Sequence, residues 1–261
     1  MKALYIASTG MSAQERNVEI ISNNIANMRT TGFKRQRAEF QDLLYQTYRR
    51  AGSSTSDQGT VAPVGVEVGS GVRTVATPRV MSQGSVVPTE KELDVAIRGE
   101  GFFLVQLPDG RTAYTRDGSF ERDATGQLVN VNGHPIQPGV TVPDGASSIS
   151  IGPDGTVEAF LNNDPLPTQI GQLQLARFVN KAGLESIGDN LFVETGSSGP
   201  AQIGVASADG MGNMMQGYLE MANVNAVTEI ADLIAAQRAY EMNARVVSGA
   251  DEMLQATSQL R

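Results

Sequence analysis

The chain contains no cysteine and no tryptophan, and its 261 residues include a single histidine, His134. Without cysteine there is no disulfide framework, no thiolate metal site and no thiol nucleophile. A Ser-His-Asp triad would have to use His134. That residue sits in Asn132-Gly133-His134-Pro135, a turn signal, and no Gly-x-Ser-x-Gly elbow accompanies it. It reads as a solvated turn residue. No P-loop occurs, and Gly99-Glu100-Gly101 is only a fragment of a dinucleotide fingerprint. Asp117, Glu121 and Asp123 lie near Gly118 and Gly126 but miss EF-hand spacing. Charged residues are sparse at 18%, below the usual ~25%. The net charge of −8 argues against a basic nucleic-acid-binding face. No run of about 18 apolar residues predicts a membrane span, and the opening Met1-Lys2-Ala3-Leu4-Tyr5-Ile6 lacks the apolar core of a cleaved signal. The expectation is therefore no enzyme, no cofactor, no metal, no nucleic-acid partner and no membrane insertion.

Helical periodicity dominates both ends. Leu4, Ala7, Met11, Val18, Ile21, Ile25 and Met28 recur at steps of three and four, with Gln14 in the one missing place. This is an a/d seam over more than three heptads. It predicts a helix over 3–28 of roughly 39 Å, stopped by Gly32. Residues 225–259 carry a second pattern through Ile230, Leu233, Gln237, Tyr240, Ala244 and Val247, which drifts towards Ala250, Leu254 and Thr257. Asn225 suits its N-cap, and Glu229 suits the positive end of its dipole. Small residues, Ala222, Ala226, Ala231, Ala235 and Ala236, are placed on its polar faces.

Between about 72 and 218 the pattern is of short β-type runs, including Leu93–Ile97, Phe102–Gln106, Ile149–Ile151, Thr156–Phe160 and Leu173–Phe178. Pro108-Asp109-Gly110, Asn132-Gly133, Pro143-Asp144-Gly145 and Pro153-Asp154-Gly155 punctuate them. The predicted class is α+β: a discontinuous terminal-helix coiled coil (1–33 with 225–261) and a sandwich or barrel-like β-rich domain (72–224). A connector and extended arm (34–71) joins them. Residues 51–71 hold five Gly and four Ser with few large side chains, so this stretch is either a flexible linker or an arm ordered by neighbours.

Three motifs carry a family resemblance. Ser22-Asn23-Asn24-Ile25-Ala26-Asn27-Met28-Arg29-Thr30-Thr31-Gly32-Phe33-Lys34 resembles the signature of the flagellar rod and hook family. Leu93-Asp94-Val95-Ala96-Ile97-Arg98-Gly99-Glu100-Gly101-Phe102-Phe103 is similar to its internal run. Ala222-Asn223-Val224-Asn225, Leu233-Ile234-Ala235-Ala236-Gln237-Arg238-Ala239-Tyr240-Glu241 and Asp251-Glu252-Met253-Leu254-Gln255 are similar to its C-terminal motif. The matches come in the family's order and span the chain.

The resemblance implies a structural subunit that polymerises helically into a rigid hollow shaft and transmits torque from motor to hook. Length and the segment near 49–71 imply the distal rod, with a hook or proximal rod subunit as the alternative. Implied partners are further copies of the chain, proximal rod and hook or hook-junction subunits, ring bushings, a rod cap and the flagellar export apparatus. The implied location is the basal body across the periplasm, reached without a cleaved signal. On this reading Leu4, Met11, Val18, Ile21, Ile25, Ile230, Leu233, Tyr240, Val247 and Leu254 form subunit interfaces. Asn24, Asn27, Gly32, Phe33, Asn223, Gln237 and Arg238 carry the family motif. Gly52, Gly59, Pro63, Gly65, Gly69 and Gly71 belong to an arm that contacts neighbours.

Overall fold

The computed structural model describes residues 2–53, 61–161 and 166–259. They divide into two compact units, one drawn from 2–25, 36–78 and 225–259, the other from 26–35 and 79–224.

In the first unit, α1 (Lys2–Ala26) and α2 (Ala226–Gln259) pair antiparallel. Gly10 lies against Asn243, and Asn24 bonds Glu229. As α1 advances from 10 to 24, its partner on α2 retreats from 243 to 229. Asn225 caps α2, its side-chain oxygen accepting the N–H groups of Val227 and Thr228 at 3.0 and 3.2 Å, as expected of an Asn in that place. The buried residues of the two helices are Ala7, Ala13, Ile20, Ile21 and Asn24 on α1 and Glu229, Ala236 and Ala250 on α2. A Cβ at Gly10 would stand 2.9 Å from Asn243 Nδ2, so the absence of a side chain there leaves room for the Asn243 amide.

Four short strands of the same unit form one long ribbon. β1 (Glu39–Asp42) pairs with β4 (Val72–Ala76), and β2 (Gln46–Arg49) pairs with β3 (Val66–Val68), all antiparallel. Asp42 faces Val72 and Gln46 faces Val68, four residues on in one arm and four back in the other, so the two pairs share one register. Backbone bonds extend the ladder from Arg37 N to Pro78 O at one end to Gly52 N to Ala62 O at the other. At 3.3 Å per residue this is roughly 50 Å of two-stranded ribbon. The ribbon lies along α1: Asn24 meets Gln36, Thr9 Oγ1 accepts from Val72 N at 3.3 Å, and Lys2 sits over the Tyr48 ring. The described residues of the Gly/Ser-rich stretch, 51–53 and 61–71, thus belong to a longer ribbon that starts well before them.

The second unit is β-rich. Its largest sheet has seven strands in the order Glu185–Gly188, Leu191–Val193, Thr112–Thr115, Phe102–Gln106, Gln174–Arg177, Gln202–Val205, with Ile136–Gln137 also pairing to Phe102–Gln106. Successive side chains of Phe102–Gln106 point to opposite faces. Phe103 accordingly enters a core with Val95, Ile97, Phe120 and Leu175, while Phe102 and Leu104 enter another with Tyr114, Phe178 and Phe192. A three-stranded sheet, Ala146–Ile151, Thr156–Leu161 and Thr168–Gln172, lends Ile151 and Val157 to the first core. Phe102 packs edge-on to Phe178 and Phe192, with ring centroids 5.9 and 6.1 Å apart, the geometry that the ring quadrupole favours. The fold is α+β with terminal helices and a β-rich middle. Among the described residues the sheets remain open rather than closing into a barrel.

Candidate assembly interface

Asn24 is the hinge of the first unit. Its Nδ2 donates to Gln36 O at 2.9 Å and to Glu229 Oε2 at 3.1 Å, and its Oδ1 accepts from Gln36 N at 2.9 Å. One buried amide thereby fixes where the ribbon leaves, and ties it to the start of α2. Asn27 closes the turn after α1, accepting from Thr30 N at 3.0 Å and, at its side chain, from Thr30 Oγ1 at 3.2 Å. Gly32 does not stop the helix, which has already ended at Ala26. Its role is tertiary. It has φ +67, its N–H donates to Glu220 O, and a Cβ would stand 2.7 Å from Asp117 N. Only glycine meets both demands without strain. Phe33 beside it is half-buried.

Asn223 plays the matching part near the other end of the β-rich unit. Its Oδ1 accepts from Arg35 N at 2.8 Å, and its Nδ2 donates to Val80 O and Ser82 O at 2.7 and 3.0 Å. Three chain segments, near 35, 80 and 223, are joined by one amide.

Under these segments lies a charge cluster that periodicity does not signal. Lys34, Arg116 and Glu220 are 2%, 5% and 1% exposed. Lys34 Nζ stands 2.5 Å from Glu220 Oε1 and donates to Ser82 O at 2.8 Å. Arg116 Nε stands 3.1 Å from Glu220 Oε2, while its other nitrogens donate to Gly101 O and Gly99 O at 2.8 and 2.7 Å. Gly84 N also donates to Glu220 Oε1. Burial pushes the Lys34 ammonium below its usual range, and the neighbouring Glu220 carboxylate opposes that shift. Arg116 is likewise lowered by burial. The only sequence hint was that Lys34 closes the first motif.

The residues predicted to form interfaces divide between two surroundings. Ile21 is in the helix seam, and Leu4, Met11, Val18, Ile25, Leu233 and Val247 are partly covered. Ile230, Tyr240 and Leu254 are exposed. On α2 the buried positions Glu229, Ala236 and Ala250 run one residue away from Ile230 and Gln237, so the helix turns its small residues to α1 and leaves large ones outward. Ala236, expected on a polar face, is in the seam, and Ala222 is buried in the other unit. Val227, Ile234, Met242, Val246 and Met253 are exposed as well. Gln237 and Tyr240 line an open groove with Glu15, Val18, Glu19, Ser22 and Glu241. Arg238 pairs with Glu241 at 3.1 Å on the surface.

On the ribbon, Gly52 and Pro63 are exposed and Gly65, Gly69 and Gly71 are partly covered, while Gly59 lies outside the described residues. Gly69 stacks beneath the Tyr45 ring, and Gly71, at φ +114, leaves room for Thr9. The ribbon exposes Leu44 at 88% and Tyr48 at 62%, with Tyr45, Val61 and Val64 also exposed. No helix among the described residues is long and apolar enough to cross a membrane.

Family models match three parts of the chain. Residues 4–34 match the flagella basal body rod protein model, 96–159 the flagellar hook protein FlgE/F/G D1 domain, and 215–260 the flagellar basal body rod FlgEFG protein C-terminal model. The chain is similar to the flagellar basal-body rod protein FlgG of Caulobacter vibrioides, 54% identical over the whole of both chains. It is 44% identical to that of Borreliella burgdorferi over 100% of this chain and 99% of the relative. It is 35% identical to that of Bacillus subtilis, covering 98% and 97%. With these identities along its whole length, and with the motif residues occupied structurally as described, the chain belongs to the FlgG family of flagellar basal-body rod proteins.

Proposed function

We propose that the chain is a structural subunit of the distal rod, polymerising helically into a rigid hollow shaft that carries torque from motor to hook. One observation carries this reading. On α2 the buried side chains are small or polar, Glu229, Ala236 and Ala250, while Ile230, Ile234, Tyr240, Met242 and Val246 are exposed, the reverse of a helix that is covered on its apolar face. Such a surface gains by repeated head-to-tail contact with further copies, and in a helical array each contact repeats without closing. The terminal helices, 1–33 with 225–261, serve as the polymerisation domain, and 72–224 as an outer layer. Leu4, Met11, Val18, Ile230, Tyr240 and Leu254 face neighbouring copies. No catalytic role is assigned.

The ribbon is the second contact element. An isolated two-stranded ribbon is marginal in water, and this one displays Leu44 and Tyr48 to solvent. Packed between neighbours, it resists bending and keeps the rod straight. Proximal rod and hook subunits contact the two ends of the polymer. Ring bushings, a rod cap and the export apparatus complete its partners, and the polymer spans the periplasm.

Electron microscopy of a deletion strain tests the assignment. Basal bodies ending at a short proximal rod, with no hook, are expected. Complete rods lacking only the hook would assign the chain to the hook instead. Removing residues 51–71 is expected to yield a curved polymer, and a straight one would overturn the role given to the ribbon.

A further inference from the structure

The β-rich unit has a cavity of about 110 Å³ beside the Lys34–Glu220–Arg116 cluster, lined also by Gln83, Glu100 and Lys181. Lys181 pairs with Glu100 at its rim. Three cations thus meet two carboxylates, an excess of one positive charge. The donors are also in excess. An ammonium has three N–H groups, of which Lys34 places two, on Glu220 and Ser82 O. A guanidinium has five, of which Arg116 hydrogen-bonds two, to Gly101 O and Gly99 O, with its Nε at ion-pair distance from Glu220. Both side chains line the cavity, and burying net charge with unused donors is costly. Water would satisfy the donors but would leave the charge. The volume is several times a water's share of roughly 30 Å³ in the liquid and below the ~300 Å³ of a drug-sized pocket.

We propose that this cavity binds one small monovalent anion of halide size, held by Lys34 Nζ and the Arg116 guanidinium, with Lys181 as the third positive charge. The anion completes the charge balance of the cluster and stabilises the β-rich unit by binding the folded form alone.

The test is thermal unfolding of the full chain in chloride, at constant ionic strength balanced with gluconate, a much bulkier anion. The unfolding midpoint is expected to rise with chloride and to saturate. The rim supplies two signed variants at partly exposed positions. Glu100→Gln raises the excess charge and should shift half-saturation to several-fold lower chloride. Lys181→Gln abolishes the excess and should remove the chloride response. An anomalous bromide peak in the cavity of crystals grown in bromide would locate the ion. Equal midpoints in chloride and gluconate, or a Lys181→Gln variant that keeps the full response, would overturn the proposal.

Discussion

Asn24 and Glu229 share a buried hydrogen bond of 3.1 Å although 205 residues separate them in the chain. The same Asn24 amide bonds both backbone groups of Gln36. Asn24→Ala removes all three bonds at once, and a buried polar group deprived of its partner costs about 1–3 kcal/mol. Loss of that order in the helix pair raises the critical concentration for polymerisation roughly tenfold per 1.4 kcal/mol. Sedimentation of the polymer measures it, and an unchanged critical concentration would show that Asn24 does not set the helix pairing.

Glu220 holds two buried cations. Glu220→Ala leaves Lys34 and Arg116 without their carboxylate, and breaking a buried pair in this way costs about 3–5 kcal/mol. The expected outcome is a large drop in the denaturant midpoint of the β-rich unit. Glu220→Gln keeps the shape and an acceptor oxygen but not the charge, and should still lose a large part of the stability. If both variants match the parent chain, the cluster contributes no net stability.

Gly71 admits Thr9 to the ribbon. A Cβ there would stand 2.2 Å from Thr9 Oγ1, on a backbone with φ +114. Gly71→Ala therefore strains the backbone by about 1–2 kcal/mol and pushes the ribbon off α1. Faster hydrogen exchange at Val72, whose N–H bonds Thr9 Oγ1, is the expected readout, together with protease cleavage in 61–78. Thr9→Ala/Gly71→Ala removes the Oγ1 contact but not the strain, and it also removes the acceptor of Val72 N–H, so it should recover part of the protease resistance and none of the Val72 protection.

Acid weakens two turns in the β-rich unit. Asp123 is held below the usual carboxylate value of 3.8 by the Thr125 hydroxyl first, then by the N–H groups of Gln127 and Thr125. Asp154 is lowered by the Thr156 hydroxyl and N–H. A carboxylate with a depressed folded-state value contributes stability that is fully present above pH 3.8 and is lost as pH falls through the folded value. Unfolding midpoints should therefore fall below pH 3.8, and Asp123→Asn/Asp154→Asn should flatten that limb. An unchanged acid limb in the double variant would place the titration elsewhere.

Much of the architecture was legible from local pattern. Phe102–Gln106 is a strand with the predicted bounds, Thr156–Phe160 lies within an observed strand, and Asn225 caps α2. These features depend on neighbours within a few residues, so the sequence carries them directly. The ribbon was half legible. Residues 51–71 read from composition as either a flexible linker or an arm ordered by neighbours, but β1 and β2 precede that composition, and their pairing is set by partners some 20 to 40 residues away. Lys34, Arg116 and Glu220 were invisible as a group because no spacing links positions this far apart.

By itself the sequence determined the element types, the turns and the family, because helical and strand periods are local and the motifs are specific. It also determined that each terminal helix has an apolar stripe. Only the tertiary structure decided which face of α2 meets α1. A stripe such as Ile230, Tyr240 and Leu254 reports that a face gains by burial, not what covers it. The pairing of α1 with α2 is marked instead by tertiary contacts that no period reports, Gly10 against the Asn243 side chain and Asn24 on Glu229.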